Sequence, residues 1–185
     1  MKFSISVYVA SAVVFGSLPS QAQVVSGFQG PYAPANWTFT SPGPGSSVNT
    51  AATPASIMLI GTDGSPFVAK NTDYVTTALG AGSVQFQWNY LSGDIGAFDR
   101  LYYVLNNVQT LLAQNNSQGS GTTAFSVLAG DTFGFRVYSD DSMFGSGVAV
   151  ISNFSAPVPG PLPLFGAAAA YSFSRRLRQR TRLGS

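Results

Sequence analysis

Cysteine, histidine and glutamate are absent from this chain of 185 residues, and charged residues make up only 9% of it. Without cysteine there is no disulfide, no thiolate metal ligand and no thiol nucleophile. Without histidine, a Ser-His-Asp triad and a histidine-ligated zinc ion are excluded as well. These absences remove most of the side chains that carry enzyme chemistry, so the composition favours a protein that is not an enzyme.

The few charges are divided unevenly along the chain. Of nine basic residues, Lys2 stands near the start and five arginines lie between positions 175 and 182. Three basic residues and all seven aspartates remain in the middle, which therefore has a net charge of −4 although the whole chain has +2. Binding to phosphate backbones needs clustered lysine and arginine, and three scattered cations do not supply a cluster. We therefore expect no nucleic-acid partner.

Residues 1–22 have the order of a secretory signal peptide. A lysine precedes an apolar run, Pro19 interrupts it, and small residues follow. This order predicts export and cleavage between Ala22 and Gln23. A retained membrane helix is the alternative, and the helix-breaking Pro19 and the short apolar run disfavour it.

The C-terminal residues 157–185 form a second segment of unusual composition. The proline motif Pro159-Gly160-Pro161 precedes a short apolar run and then the arginine cluster. As a helix, residues 158–173 would reach about 24 Å, which is short of the roughly 30 Å hydrocarbon core of a bilayer. The segment can anchor only if arginine side chains extend to the head groups, with the arginine-rich end in the cytoplasm. The alternative, an amphipathic helix packed on the domain, is disfavoured because the run has no polar face. The predicted membrane contacts are Leu164, Phe165, Phe173, Arg175, Arg176 and Arg178.

Residues 157–182 resemble the PEP-CTERM sorting tail of exosortase-processed bacterial proteins, in which a proline motif, a short apolar helix and an arginine cluster follow one another. Gly160 stands where the usual motif has glutamate, and the PGPLPL form is similar to the variant common in cyanobacterial exported proteins. The resemblance implies that the export machinery and a membrane sorting peptidase are partners. It also implies that the protein is held in the membrane and displayed at the cell surface or in the extracellular matrix.

The residues between the two ends, 23–156, are predicted to form an all-β domain, an antiparallel β-sandwich of the jelly-roll or CUB-like kind. Residues 83–90 alternate strictly between apolar and polar side chains, and residues 132–138 repeat this pattern. The turn-forming residues 129–131 predict that residues 124–128 pair with residues 132–138 as a hairpin. The strongest strand is expected to place Val84, Phe86, Trp88 and Tyr90 on its inner face. Further strands are predicted at 57–60, 74–78, 101–105 and 148–154, with a first strand at 36–39.

Residues 101–112 fit two structures. Apolar residues at positions 101, 105, 108 and 112 would line one face of a helix. The β-forming residues 102–104 and the pair Asn106-Asn107 instead favour two strands joined by a two-residue turn. The turn chemistry favours the strands.

Four aspartates are candidate calcium ligands. Asp94 and Asp99 follow the strongest strand, and Asp140 and Asp141 follow the strand that contains Phe133. If these strand ends meet at one edge of the sandwich, the carboxylates would be crowded, which a hard cation such as calcium would relieve. The alternative is that each aspartate caps a turn next to glycine or serine.

Two segments weakly resemble the aspartate-bearing segments of calcium-binding CUB domains. They are residues 98–102, Phe-Asp-Arg-Leu-Tyr, and residues 137–142, Val-Tyr-Ser-Asp-Asp-Ser. The chain lacks the cysteines usual in that family. The resemblance implies a CUB-like sandwich and supports the calcium alternative.

Aromatic side chains are candidates for stacking on sugar rings if they lie exposed on the sandwich. Packing in the core is the alternative fate for such residues. The candidates for a carbohydrate platform are Tyr32, Trp37, Tyr102 and Tyr103.

The sequence thus predicts an exported structural or adhesive protein of the cell surface, with no catalytic residues and no required cofactor. The first alternative is a recognition module that binds calcium or a surface polysaccharide. The second alternative is a hydrolase that uses two aspartates, which would require two carboxylates in one cleft.

Overall fold

β-Strands of three to twelve residues build nearly all of the regular secondary structure that is described. The computed structural model describes residues 23–40, 43–64, 68–94, 96, 98–114 and 119–160, which belong to one unit, Gln21–Gly160. Two 3-10 turns, Gly30–Tyr32 and Pro34–Asn36, precede the second strand. The strands are β1 Gln23–Ser26, β2 Thr38–Thr40, β3 Ser47–Asn49, β4 Ser56–Ile60, β5 Lys70–Thr77, β6 Gly82–Ser92, β7 Asp99–Leu105, β8 Val108–Gln114, β9 Gly119–Val127, β10 Thr132–Ser139 and β11 Gly147–Val158.

The strands form two antiparallel sheets, which confirms the predicted β-sandwich. Sheet A has the order β3-β4-β11-β6-β9, and β1 pairs with the far part of β11. Sheet B has the order β2-β5-β10-β7-β8. The signal peptide and the apolar C-terminal helix that the sequence predicts lie outside the described residues.

The predicted alternation of β6 is confirmed, and it explains which face of this strand packs against sheet B. Val84, Phe86 and Tyr90 are buried between the sheets, whereas Trp88, which has the same parity, is partly buried near the β9 edge. The intervening polar residues are exposed on the outer face of the sheet. Because one face of β6 is apolar and the other is polar, only one register buries the apolar set.

An aromatic cluster fills the space between the sheets. The ring of Trp37 stacks on Tyr74 with centroids 4.9 Å apart and on Phe135 with centroids 5.7 Å apart. Phe135 also packs edge to face against Phe86 of sheet A, with ring centroids 4.9 Å apart. Aromatic pairs in these geometries add to the free energy gained by burying their area. The cluster thereby joins the N-terminal turns to both sheets.

Residues 101–112 form two strands, and the helical alternative is wrong. β7 and β8 pair from Leu105↔Val108 onward, and the two-residue turn between them is Asn106-Asn107. Both asparagines have positive φ, 49° and 66°. Asparagine tolerates this left-handed region better than most residues, which explains why this pair forms the turn.

The predicted hairpin between residues 124–128 and 132–138 is wrong. β9 pairs with β6 in sheet A, while β10 pairs with β5 and β7 in sheet B. The intervening residues carry the chain from one sheet to the other, and Asp131 closes the turn by accepting the Leu128 N–H at 2.7 Å. The same turn residues can serve a hairpin or a crossing between sheets, so local turn chemistry did not decide the pairing.

The first described residue lies at the same end of the sandwich as the end of β11, because Gln23 pairs with Val158. β11 begins at Gly147 at the opposite end, where β10 ends with Ser139. β11 also continues two residues past the predicted domain boundary at 156. Within the described ranges, no helix has the length and apolar character that a membrane crossing requires.

Candidate functional site

Sheet A carries no charged side chain on any of its six strands. Their sequences contain serine, threonine, asparagine and glutamine as polar residues, and no aspartate, lysine or arginine. All charged residues of the described ranges lie on sheet B or in the loops. One side of the sandwich therefore presents a neutral polar surface, although this part of the chain is acidic overall.

An open concavity of about 390 Å³ lies on the outer face of sheet A. The strand register brings its polar side chains together, since Gln87 is opposite Thr122 and Asn89 is opposite Ser120. On the other side of β6, Ser152 of β11 is opposite Gln87. We call this surface the amide face, and its lining residues are Gln87, Trp88, Asn89, Ser120, Gly121, Thr122 and Ser152.

A bulge in β11 orients one amide of this face. The pairing of β11 with β6 shifts between Ser152 and Ser155, and Asn153 within the bulge has a φ of 47°. The Asn153 side chain donates a hydrogen bond from Nδ2 to Oε1 of Gln87, at 2.7 Å. β-Bulges commonly redirect a side chain at a functional position, and this one fixes the Gln87 amide.

The side chains of the amide face can both donate and accept hydrogen bonds, and no charged group has to lose its hydration. Amide side chains carry a donor and an acceptor group, and serine and threonine hydroxyls both donate and accept. A ligand rich in hydroxyl groups has the same dual character. Burying uncharged groups that find new hydrogen-bond partners costs far less than burying an ion.

The four aromatic residues predicted to form a carbohydrate platform do not come together. Tyr32 and Trp37 are buried in the core between the sheets, so their ring faces are not available to a sugar. Tyr103 stacks on Phe125, with centroids 4.5 Å apart. Tyr102 lies on the outer face of sheet B, where it is buried beside the Arg136 opposite it. These four residues therefore pack against neighbouring side chains, which was the predicted alternative to a carbohydrate platform.

The outer face of sheet B is charged and internally paired. Arg136 binds Asp73 through two hydrogen bonds of 2.7 Å, and its third nitrogen donates to Gln109 Oε1 at 2.9 Å. Arg100 pairs with Asp140 at 2.9 Å and lies 5.4 Å from the ring centroid of Tyr138. The carboxylates raise the pKa of both guanidinium groups. These arginines are thus held by partners within the sheet.

The four candidate calcium ligands do not form one cluster. Asp140 faces Arg100 on the outer side of sheet B, whereas Asp94 and Asp99 are buried and Asp141 is partly exposed in the loop after β10. Within the described ranges, no group of three or more acidic side chains is placed to hold a metal ion. The ends of β6 and β10 do meet at one end of the sandwich, but the ion pair with Arg100 removes Asp140 from the four candidate ligands.

Asp99 is an unusual group because it is only 1% exposed. The Ser92 hydroxyl donates to its Oδ2 at 2.7 Å, and Oδ1 has no hydrogen-bond partner among the described residues. Burial raises the pKa of the Asp99 carboxyl, and the nearby Asp94 and Asp141 raise it further. Burial and the charge of Asp99 also raise the pKa of the Tyr90 hydroxyl. Burial at this end of the core therefore disfavours the charged form of the Asp99 carboxyl.

No carboxylate lies in either of two concavities on the described surface. The amide face has none. The second concavity, also about 390 Å³, lies near the bulge and is lined by Ser26, Gly27, Gln29, Pro54, Ala55, Asn153, Phe154 and Ser155. Glycoside hydrolysis by two acids requires both carboxyl groups to face the substrate. Neither concavity offers this arrangement.

The residues of the amide face are not predicted as a site by the sequence. The alternation of β6 placed Gln87 and Asn89 on the polar face, which was the available signal. Their partners on β9 and β11 depend on strand order, which that pattern does not contain. The predicted cleavage and sorting residues Ala22 and Pro161 lie outside the described residues; Pro159 and Gly160 directly follow β11.

Comparison with known proteins gives only distant likenesses. No family model matches the chain, and no curated protein matches it. Among solved structures, a mutant family 29 carbohydrate-binding module complexed with cellulohexaose has a TM-score of 0.41 and 11% identity, covering 75% of this chain and 93% of that one. A family 61 module in complex with β-1,4-galactotriose has a TM-score of 0.43 and 9% identity, covering 71% and 94%. A family 35 module from an environmental isolate has a TM-score of 0.36 and 14% identity, covering 67% and 88%. Likenesses at this level transfer neither a ligand nor a binding residue to this chain.

Proposed function

We propose that this protein is an exported, non-enzymatic module that binds a neutral polysaccharide through the amide face. The observation that carries the proposal is the concavity on a sheet without charges, lined by amide and hydroxyl side chains. This function is the first alternative from the sequence, a recognition module for a surface polysaccharide, whereas the structural or adhesive role stays a prediction.

The ligand is expected to be neutral because the face has no ion to match a charged polymer. An anionic polysaccharide would lose the hydration of its carboxylates or sulfates without gaining a cationic partner. The arginines that could provide one belong to sheet B and are paired with Asp73 and Asp140. A neutral chain loses only hydrogen bonds to water and replaces them with bonds to Gln87, Asn89 and the neighbouring hydroxyls.

The two ends of the chain support the cellular part of the proposal. The signal peptide at residues 1–22 directs export, and the PEP-CTERM-like tail at residues 157–185 holds the protein in the membrane until a sorting peptidase acts at Pro159-Gly160-Pro161. The binding domain is thereby displayed at the cell surface or released into the matrix. The hydrolase alternative is not favoured because the aspartates are absent from both concavities.

Binding of the full chain to arrays of neutral and anionic polysaccharides tests this function. A polyoxyethylene detergent keeps the apolar ends in solution without introducing sugar. We expect binding to at least one neutral polysaccharide, no binding to alginate, and a loss of at least tenfold in affinity for the double variant Gln87→Ala and Asn89→Ala. Gln85→Ala is the matched control, because Gln85 lies on the same strand and face but outside the concavity.

The control variant should bind like the original protein. Absence of binding to every neutral polysaccharide, or full affinity in the double variant, would rule out the amide face as the site. Circular dichroism and a thermal melt of each variant show whether a loss of binding reflects unfolding.

A further inference from the structure

Three loops meet at the end of the sandwich opposite to the paired Gln23 and Val158. They are the described parts of the loops after β4 (residues 61–64 and 68–69), β6 (residues 93–94, 96 and 98) and β10 (residues 140–146), and backbone hydrogen bonds join them. Val68 N–H donates to Asp141 O at 3.2 Å, and Asp140 N–H donates to Phe98 O at 2.9 Å. We call this surface the tip.

The tip presents apolar side chains to solvent. Phe144 is 69% exposed, Val68 is 46% exposed and Phe98 is 43% exposed. Single exposed apolar residues are ordinary, but three on loops that are joined by hydrogen bonds make this end of the sandwich a candidate interaction surface.

Phe144 has a backbone conformation that a bulky residue rarely adopts. Its φ is 64°, and Ser142 and Gly145 in the same loop have φ values of 57° and 123°. For a large side chain this region is a genuine outlier, and such strain is concentrated at binding and catalytic sites. No burial of the ring compensates for it, since the ring faces solvent.

The loop around Phe144 is held firmly in place. The Ser142 hydroxyl donates to Val68 O at 2.8 Å, and Gly64 N–H donates to Ser142 O at 2.7 Å. Gly145 packs so closely on Gly93 that a Cβ at 145 would lie 3.0 Å from the Gly93 backbone. The backbone that carries the exposed ring is therefore held in place, so the loop loses little conformational entropy on binding.

Carboxylates lie beside the patch. Asp141 is partly exposed, and one of its oxygens accepts the Met143 N–H at 3.1 Å. Asp63 is partly exposed in the loop after β4, next to the Gly64 that contacts Ser142. Aromatic rings stack on the apolar face of a sugar ring, while carboxylates accept hydrogen bonds from its hydroxyl groups. The same carboxylates would repel the anionic head groups of a lipid surface.

We propose that the tip is a second saccharide-binding site, in which Phe144 stacks on a sugar ring and Asp141 accepts a hydroxyl group. It rests on the ligand class of the proposed function but uses none of the residues of the amide face. The tip lies at the end of the sandwich away from Val158, after which the chain continues into its C-terminal segment. Binding at this end would complement binding on the side of the sandwich.

Saturation-transfer NMR with cellohexaose, xylohexaose and galactohexaose tests the tip in the full chain. The background is the Gln87→Ala and Asn89→Ala variant, so that binding at the amide face does not obscure the result. We expect this background to retain binding to at least one hexasaccharide, and added Phe144→Ala to lower that affinity at least tenfold. Leu128→Ala is the matched control, since Leu128 is also 69% exposed but lies in the β9–β10 turn, at the other end.

Phe144→Gly separates a binding role from a structural one. Because glycine adopts positive φ without steric cost, this variant should unfold at a higher urea concentration than the original protein. It should also lose affinity for the hexasaccharide. A structural role would give lower stability instead, and that result would overturn the proposal.

The outcomes distinguish the two sites. Loss of all binding in the amide-face variant would show that the tip does not bind saccharide, and it would be consistent with the proposed function. Loss through Phe144→Ala alone, with the amide-face variant unaffected, supports the tip and refutes the amide face. Binding to phosphatidylcholine vesicles that depends on Phe144, without binding to any hexasaccharide, overturns the tip as a saccharide site.

Discussion

The indole ring of Trp88 occupies the space that a side chain at Gly121 would need. The two residues are directly opposite each other on β6 and β9, and a Cβ at 121 would lie 2.7 Å from Trp88 Cζ2. The Trp88 Nε1–H donates to Thr123 Oγ1 at 3.1 Å, which fixes the ring against β9. Gln87 and Asn89 adjoin Trp88 in the sequence, so this packing supports the strand that carries the central amides of the amide face.

Gly121→Ala should destabilise the domain by about 1–3 kcal/mol, the usual cost of forcing an extra carbon into a packed site. The added methyl group must displace the Trp88 ring or separate β9 from β6. Urea unfolding followed by tryptophan fluorescence measures this cost. Ser120→Ala is the control, because Ser120 is exposed on the outer face and should change the free energy of unfolding by less than about 0.5 kcal/mol. Equal stabilities for the two variants would contradict this packing.

Removing the hydroxyl group should have opposite effects at two buried tyrosines. Tyr32 donates to Pro157 O at 2.6 Å and accepts the Leu79 N–H at 3.1 Å, so Tyr32→Phe leaves two partners unsatisfied. We expect a loss of about 2 kcal/mol, within the range for an unsatisfied buried group. The Tyr90 hydroxyl is buried with no hydrogen-bond partner in the described part of the chain. Tyr90→Phe should therefore be neutral or stabilising.

Chemical denaturation of both phenylalanine variants under one set of conditions checks this pair. The difference between them is the informative quantity, since each variant loses the same oxygen atom. A larger loss at Tyr90 than at Tyr32 would show that the Tyr90 hydroxyl has a partner, such as an ordered water.

Asp99 should make the domain less stable as the pH rises above the ordinary range of a carboxyl pKa. Its pKa is raised in the folded state, chiefly by burial, so the unfolded chain releases this proton at lower pH than the folded protein does. The contribution of Asp99 is favourable below the unfolded pKa of about 3.9 and is lost as the pH rises through the folded pKa. Asp99→Asn should remove this dependence and increase stability at neutral pH relative to the original.

Asp131 provides a control, because its effect on the pH dependence of stability has the opposite sign. Hydrogen bonds from Asn106 and from the Leu128 N–H lower its pKa, so its contribution is present above the unfolded pKa and is lost as the pH falls. Urea midpoints between pH 3 and pH 8 for Asp99→Asn and Asp131→Asn measure both effects. Slopes of the same sign in the two difference curves would show that the pKa of Asp99 is not raised in the folded state.

The sequence predicts much of the secondary structure because side-chain alternation is a local property. The pattern of β6 identified a strand with one buried face, and Asn106-Asn107 identified the turn between β7 and β8. In both places the physical cause lies within a few residues, in the two-residue period of a strand and in the tolerance of asparagine for positive φ.

The pairing of strands could not be predicted in the same way. Residues 129–131 suit a hairpin, yet β9 and β10 belong to different sheets. A turn sequence restricts the backbone only over its own residues, whereas the choice of partner depends on which strands bury the most apolar area together. The same limit applied to Trp37, whose ring could have been exposed but packs between Tyr74 and Phe135.

The sequence by itself determined the chemical inventory, in which histidine, cysteine and glutamate are missing and the charges are few. It also determined that β6 has one apolar and one polar face, because this follows from residue order alone. Only the tertiary structure decided that β9 and β11 lie on either side of β6, which brings Thr122 and Ser152 next to Gln87. Only the tertiary structure decided, too, that Asp140 pairs with Arg100 and does not join the other aspartates. The reason is that contacts between distant residues are set by the burial and hydrogen bonding of the whole domain, which no short segment contains.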